Sequence, residues 1–303
     1  MRSSETSATA AGEIPPAPGR PQEIEEPTNR YLVHPLSRAL VSRLVTSPVT
    51  PNQVSFASVA AAAAAAGCYF AAPWPWAALG GVALQFVWHV LDGADGDLAR
   101  RTGRASPIGE LVDGVCDHLS QAILYLAFGA ILERQMGPLA WVLAGAAALS
   151  HFVQANAYET GRKTYRRWVY DAGWMRQSVA ALEQKGAAQG ALGALYLRIS
   201  SLTDAGEGEV EAAMAGPLAA GQSRAAAARR LYAGIFAPVV RSSFWLSGNT
   251  RTMAAFLSML IPPGSPAWFF LFETTALNLV LVWLVASRRR RNAALFRGLA
   301  QLA

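Results

Sequence analysis

The chain is 303 residues long, 52% hydrophobic and only 15% charged, with a mean hydropathy of +0.23. Soluble domains carry about 25% charged residues, so this composition excludes an ordinary soluble protein and points to an integral membrane one. The net charge of +6 does not call for a nucleic-acid partner, because the basic residues cluster beside apolar segments, as membrane topology requires. The two cysteines, Cys68 and Cys116, sit in apolar segments and form neither a disulfide framework nor a zinc-ligand spacing.

Residues 1–28 are rich in Pro, Ala, Ser and Glu, lack apolar periodicity, and contain no apolar core of a signal peptide. They are expected to form a disordered tail. From Asn29 to Ser47, the residues Tyr31, Leu32, Leu36, Leu40, Val41 and Leu44 recur at helical spacing between Arg30, Arg38 and Arg43. That pattern predicts an amphipathic helix on the membrane surface. Ser47-Pro48 and Thr50-Pro51 mark a turn.

A first span is predicted from about Asn52 to Ala72; its alanine run, Ala60 to Ala66, lets membrane helices approach closely. Pro73, Trp74, Pro75 and Trp76 form an interfacial turn. The second span covers Ala77 to Leu91 and runs into acidic residues; the third covers Gly109 to Leu132, and the fourth Leu139 to Thr160. Residues 161–242 hold no long apolar run and are expected to form a helical insertion outside the bilayer. A fifth span begins around Ser243 and ends at Ile261, and a sixth covers Ala267 to Ala286 before the basic run Arg288 to Arg291.

The expected fold is therefore an all-α integral membrane protein of six transmembrane helices, with an amino-terminal amphipathic surface helix and a helical cytoplasmic insertion. Its parts are the tail 1–28, the surface helix and spans one to four over 29–160, the insertion 161–242, and spans five and six with a basic tail over 243–303. With six spans, one face receives Arg100, Arg101, Arg104, the Arg162–Arg167 cluster and Arg288–Arg291, whereas the other receives only Arg134. The positive-inside rule then places both termini, the insertion and the acidic stretch on the cytoplasmic side of the cytoplasmic membrane.

That acidic stretch carries the chemistry. Asp92, Asp95, Asp113 and Asp117 lie at the ends of the second and third spans. A carboxylate beside hydrocarbon costs ~2.5–3.5 kcal/mol even on a lenient scale, and bound cations would offset it. Spacings of three and four place each pair on one helix face. If the two helix ends pack side by side, four carboxylates converge, an all-oxygen set suited to Mg²⁺, Mn²⁺ or Ca²⁺. Four carboxylates can hold two ions, and paired ions serve displacement at phosphorus. Arg100 offers donors suited to phosphate. Gly93, Gly96 and Ala99 leave little side chain, so a nucleotide can approach the backbone. Neither an EF-hand nor a GxxxxGK[ST] phosphate loop is present.

The run from Asp92 to Asp117 fits D-x2-D-G-x2-A-R-x8-G-x3-D-x3-D at every fixed position: Asp92, Asp95, Gly96, Ala99, Arg100, Gly109, Asp113 and Asp117. It resembles the signature of the CDP-alcohol phosphotransferase family. The resemblance implies a six-span enzyme that moves a substituted phosphate from a CDP-linked donor to an alcohol, releasing CMP, in phospholipid or polar-lipid synthesis. It implies two Mg²⁺ or Mn²⁺ ions on Asp92, Asp95, Asp113 and Asp117, with Asp117 also the general base. The nucleotide and its phosphates would lie over Asn52, Gly96, Ala99, Arg100 and Gly109. Partners would be the donor, an alcohol acceptor and the bilayer, with a possible homodimer expected from the family.

Donor and acceptor remain open on this reading: CDP-diacylglycerol with a soluble alcohol, or a CDP head group with a diacylglycerol-like lipid. The text ARRTGRASPIGELVDGVCD is closer in texture to the second branch, which however has His where this chain has Gly114. The RARAE stretch of members that use phosphorylated acceptors corresponds here to Gln154 to Glu159, without the arginine pair. His151, Gln154, Asn156, Tyr158, Glu159 and Arg162 are acceptor-site candidates, as are Asn249 and Arg251, the latter an arginine within a span. His89, three residues before Asp92, shares its helix face, whereas His118 points away as a helix neighbour of Asp117. Two other classes compete: a cation transporter using the same acids, and a non-catalytic membrane scaffold. Arg100 with Gly96 and Gly109 argues against transport, which gains nothing from a phosphate-shaped arrangement.

Overall fold

The computed structural model describes residues 21–170 and 203–302, and no strand occurs among them. Residues 1–20 of the expected tail and 171–202 of the expected insertion lie outside the described residues. The helices are α1 His34–Leu44, α2 Pro51–Ala71, α3 Trp76–Arg101, α4 Pro107–Met136, α5 Leu139–Tyr170, α6 Glu207–Ala219, α7 Gln222–Ser242, α8 Gly248–Leu260, α9 Ala267–Thr274 and α10 Ala276–Ala300. Among the described residues, four stretches are long and apolar enough to cross a membrane: Pro51–Ala71, Trp76–Arg101, Ile108–Met136 and Ala267–Ala300. The expected fourth span falls on α5, a helix of 32 residues, and the expected fifth on α8, which has 13. At 1.5 Å per residue α8 reaches about 20 Å, short of the ~30 Å hydrocarbon core.

Helix α2 starts on a reciprocal cap. The Thr50 hydroxyl accepts from the Gln53 amide at 3.3 Å, and the Gln53 side chain accepts from the Thr50 amide at 2.9 Å. Its buried residues, Val54, Ser55, Ser58, Ala61, Ala62, Ala65, Ala66 and Tyr69, recur at helical spacing and form one face of mostly small side chains packed on α3 and α4. Ala63 and Ala64, in the middle of the run, are exposed. The tight approach expected of the alanine run is thus made by one face of it. Where α2 meets α3, a Cβ on Gly81 would overlap the Tyr69 ring, so only glycine fits there.

Helix α3 does not stop at the aspartates. It runs unbroken to Arg101, so Gly96 lies inside it, and the connection to α4 is only residues 102–106. Helix α4 begins where the Ser106 hydroxyl accepts from the Gly109 amide at 3.0 Å, and ends at Gly137, whose φ of +71° suits a glycine.

The chain divides into two compact units. One comprises 25–155 and 244–281, with an apolar core in which Trp88, Leu124, Phe128, Phe269 and Phe270 pack against the α2 alanines. Here α1 lies along α3: the Ser37 hydroxyl donates to the Val90 carbonyl at 2.8 Å, and Val41 packs with Val54, Ala94 and Leu98. A Cβ on Gly93 would stand 2.9 Å from Ser37 Oγ. The smallness of Gly93 therefore serves the α1–α3 approach. Tyr31, Leu32 and Leu36 are exposed.

The other unit comprises, among the described residues, 21–24, 156–170, 203–243 and 282–302. Arg288 pairs with Glu207, and the rings of Tyr232 and Phe236 stack with centroids 4.5 Å apart. Residues 22–24 form a single helical turn with Ile24 buried. Arg162 donates to the Ile24 carbonyl at 2.9 Å, and the Tyr165 hydroxyl to Glu23 at 3.2 Å. The last part of the expected tail, from residue 21 onward, is thus ordered chain.

Candidate active site

The continuous α3 and the start of α4 bring the acidic residues together. One carboxylate oxygen each from Asp92, Asp113 and Asp117 lies within 4.8 Å of the others, and all three side chains are partly buried. Opposite ligands of an octahedral Mg²⁺, at bonds of ~2.0–2.1 Å, stand about 4 Å apart. The set is all-oxygen and anionic, so the residues fit a hard divalent ion. Asp92 is also in hydrogen-bonding reach of Asp117, and Asp95 of Asp113.

Asp95 differs from the other three. It is 3% exposed and accepts from the Ser55 hydroxyl on α2 at 2.6 Å and from the Gly96 amide at 2.5 Å. Ser55 carries no motif signal, although it lies three residues after Asn52 on the same helix face.

Around the carboxylates, Asn52 is exposed at the start of α2, and its Oδ1 lies 4.0 Å from where a Cβ on Gly109 would stand. Two of the expected nucleotide contacts, from α2 and α4, are therefore adjacent. Arg100 folds back over the bare backbone of Gly96: a Cβ there would be 3.3 Å from one guanidinium nitrogen. Its partner is Asp97, and the Arg100 side chain remains 56% exposed, accessible to a ligand. Asp97, at a variable position of the motif, was not singled out. Ala99, the remaining expected nucleotide contact, lies between them on α3 and is partly buried.

The acceptor candidates divide between the units. Gln154 and Arg251 share one buried network. The Arg251 guanidinium donates to Glu273 Oε1 at 2.9 Å, to Gln154 Oε1 at 2.8 Å and to the Leu246 carbonyl. Gln154 in turn donates to the Glu273 carbonyl at 2.9 Å and Asn278 Oδ1 at 2.8 Å. Glu273, fully buried, is the residue that sequence reasoning missed. It is an isolated acid in the sixth apolar segment, as Arg251 is an isolated base in the fifth, and that complementarity was the available signal. His151 is hydrogen-bonded to the Tyr125 hydroxyl at 3.0 Å, and Asn249 donates to Glu26 and Asn29 at 2.9 and 2.8 Å. A small internal cavity of about 10 Å³, lined by Gln85, Trp88, Gln121, Tyr125, Arg251 and Thr252 among others, has room for about one water.

In the other unit, Arg162 stacks over Tyr158, its guanidinium carbon 5.2 Å from the ring centre, and is tied to Ile24; Asn156 is partly buried and Glu159 exposed. The two histidines near the motif do not face it. His89 bonds Thr252 at 2.8 Å and stacks on Trp88, and His118 donates to the Gly114 carbonyl at 2.6 Å.

Comparison with known proteins agrees with the motif. The sequence pattern of the CDP-alcohol phosphatidyltransferase family matches residues 48–205, just over half the chain. Ethanolaminephosphotransferase 1 of Pongo abelii is 28% identical over 168 residues, which cover 48% of this chain and 41% of that protein. The bifunctional IPC transferase and DIPP synthase of Rubrobacter xylanophilus is 32% identical over 127 residues, 41% of this chain and 28% of that one. Cholinephosphotransferase 1 of Homo sapiens is 44% identical over 52 residues, 17% of this chain and 12% of that one. The chain thus spans about two fifths of the length of the first of these relatives. No solved structure matches it.

Proposed function

The chain belongs to the CDP-alcohol phosphatidyltransferase family, and from that premise we propose that it transfers a substituted phosphate from a CDP-linked donor to an alcohol, releasing CMP. The observation that carries this reading is the meeting of Asp92, Asp113 and Asp117 from two helices, with Asp95 alongside, in a chain that matches the family over the same residues. Asp92, Asp95, Asp113 and Asp117 would hold Mg²⁺ or Mn²⁺, as two ions. When bound, the ions screen the pyrophosphate and stabilise charge on the attacking and leaving oxygens.

The chain's own residues supply the rest. Asn52, Gly96, Ala99 and Gly109 would contact the nucleotide, and Arg100, folded over Gly96 with an exposed guanidinium, would meet its phosphates. A carboxylate oxygen of Asp117 takes the proton of the acceptor hydroxyl as that oxygen bonds to phosphorus. The phosphorus–oxygen bond to CMP breaks, and no covalent enzyme intermediate forms.

The favoured substrates are a CDP-linked head group, CDP-ethanolamine or CDP-choline, and a diacylglycerol-type lipid alcohol. Similarity to an ethanolaminephosphotransferase and a cholinephosphotransferase supports this. So does the commitment of Arg251 to Glu273, Gln154 and Leu246, which leaves it poorly placed for the phosphate of a phosphorylated acceptor. The second reading, phosphatidyl transfer to a soluble alcohol, is favoured by Gly114, which stands where the head-group-transfer branch has His. In the same proposal α5 and α8 complete six spans, α1 lies on the membrane surface, and both termini and the carboxylates face the cytoplasm. A homodimer is expected from the family.

The test is a donor–acceptor matrix in membranes. CDP-ethanolamine, CDP-choline and CDP-diacylglycerol are offered with candidate alcohols, and CMP and the lipid product are read by mass. Product from a CDP head group and diacylglycerol is expected. Absence of CMP release with every donor, together with metal uptake into vesicles, would replace the transferase with a transporter.

A further inference from the structure

Ser55 is 3% exposed on α2, and its hydroxyl reaches across to α3, where it donates to Asp95 Oδ2 at 2.6 Å. The same hydroxyl also approaches the Pro51 carbonyl, at 3.3 Å. A bond to an ionised carboxylate is shorter and roughly twice as strong as one to a neutral carbonyl, so Asp95 is its principal partner. The other carboxylate oxygen of Asp95 accepts from the Gly96 amide at 2.5 Å. Both oxygens are thus fixed by protein donors, and the side chain has one orientation. Each oxygen keeps a further lone pair, and Asp95 is in reach of Asp113. Its oxygens are nevertheless not among the three that converge from Asp92, Asp113 and Asp117.

We infer that Ser55 is a positioning residue of the metal site: its hydroxyl aims Asp95 at the ions while the three converging carboxylates close around them. The inference rests on the metal-dependent reading above and deepens it. The physical reason is general. A ligating carboxylate that is itself hydrogen-bonded loses little orientational freedom when the ion binds, and removing such an outer partner weakens metal binding ~10–100-fold. Here the outer partner comes from a different helix than its carboxylate, so the α2–α3 approach made by the small-residue face also sets the site. Ser55 is buried with its hydroxyl turned to Asp95, so its effect on the ions enters through that carboxylate.

The experiment uses the full chain in detergent and the variants Ser55→Ala, Ser55→Thr and Ser55→Val. Thr and Val have the same shape, so their difference isolates the hydroxyl. Mn²⁺ alone is titrated and the melting temperature followed, giving a metal midpoint without turnover; the Mn²⁺ dependence of CMP release is a second readout. The expected result is a midpoint raised ~10–100-fold in Ala and Val and restored in Thr. A lower melting temperature in the metal-free protein with an unchanged Mn²⁺ midpoint would mean that Ser55 only ties α2 to α3, and would overturn the inference. Equal shifts in Val and Thr would do the same, as would a wild-type protein that Mn²⁺ does not stabilise. If Mn²⁺ stabilises the wild type and the midpoints shift as expected, but no donor yields CMP, the positioning role stands and the transferase reading fails.

Discussion

Asp92 and Arg251 are both charged residues on apolar helices, and their surroundings differ. Asp92 faces Asp113 and Asp117 with no neutralising side chain among the three, an arrangement that calls for a cation. Asp92→Asn is expected to reduce turnover by more than the ~10–100-fold typical of an outer partner, and to weaken stabilisation by Mn²⁺; full activity in a CMP-release assay would refute the metal assignment. Arg251, by contrast, meets a fully buried Glu273 at 2.9 Å. Breaking a buried pair costs about 3–5 kcal/mol because one charge is left without a partner. Arg251→Met should therefore lower the melting temperature strongly, and joint replacement with Glu273→Met should recover much of the loss. An Arg251→Met protein that melts like the wild type but has a raised acceptor KM would return Arg251 to the acceptor site.

At the scale of the helix, the run Ala60 to Ala66 shows what composition alone leaves open. The run reads as uniformly small, but only the face of Ala61, Ala62, Ala65 and Ala66 is buried, while Ala63 and Ala64 are exposed. Helical geometry decides which alanines matter, since residues three and four apart share a face. Ala62→Leu inserts three carbons where none fit and should cost ~1–3 kcal/mol, read as a lower melting temperature. Ala64→Leu should be near neutral. Equal effects would mean that α2 is rotated from the position described here. Overpacking at Ala62 is also expected to raise the Mn²⁺ midpoint, because the same helix face presents Ser55 to Asp95.

For the whole molecule the open quantity is the number of crossings. Among the described residues four stretches have the length and apolarity to span, whereas α5 and α8 carry the expected fourth and fifth spans. Single cysteines at Arg104, Pro138 and Gln222, in a protein with Cys68 and Cys116 replaced, separate the cases. With six spans, a membrane-impermeant thiol reagent labels Arg104→Cys and Gln222→Cys from one side and Pro138→Cys from the other. If α5 and α8 do not cross, Gln222→Cys instead labels with Pro138→Cys.

The sequence by itself determined the family and the helical, apolar character of the chain. Both depend on residue type and on spacings within one or two helices, and the eight fixed positions from Asp92 to Asp117 are such a local pattern. It also placed the starts of α2 to α5, because turns such as Thr50-Pro51 and Glu133 to Pro138 are local signals, but not the ends of α3 and α5, which run on to Arg101 and Tyr170. The tertiary structure decided what no spacing encodes. It set Gly93 against Ser37, paired Arg251 with Glu273, and attached Ser55 to Asp95 across 40 positions of chain. Each is a contact between helices distant in sequence, fixed only when packing sets which faces meet.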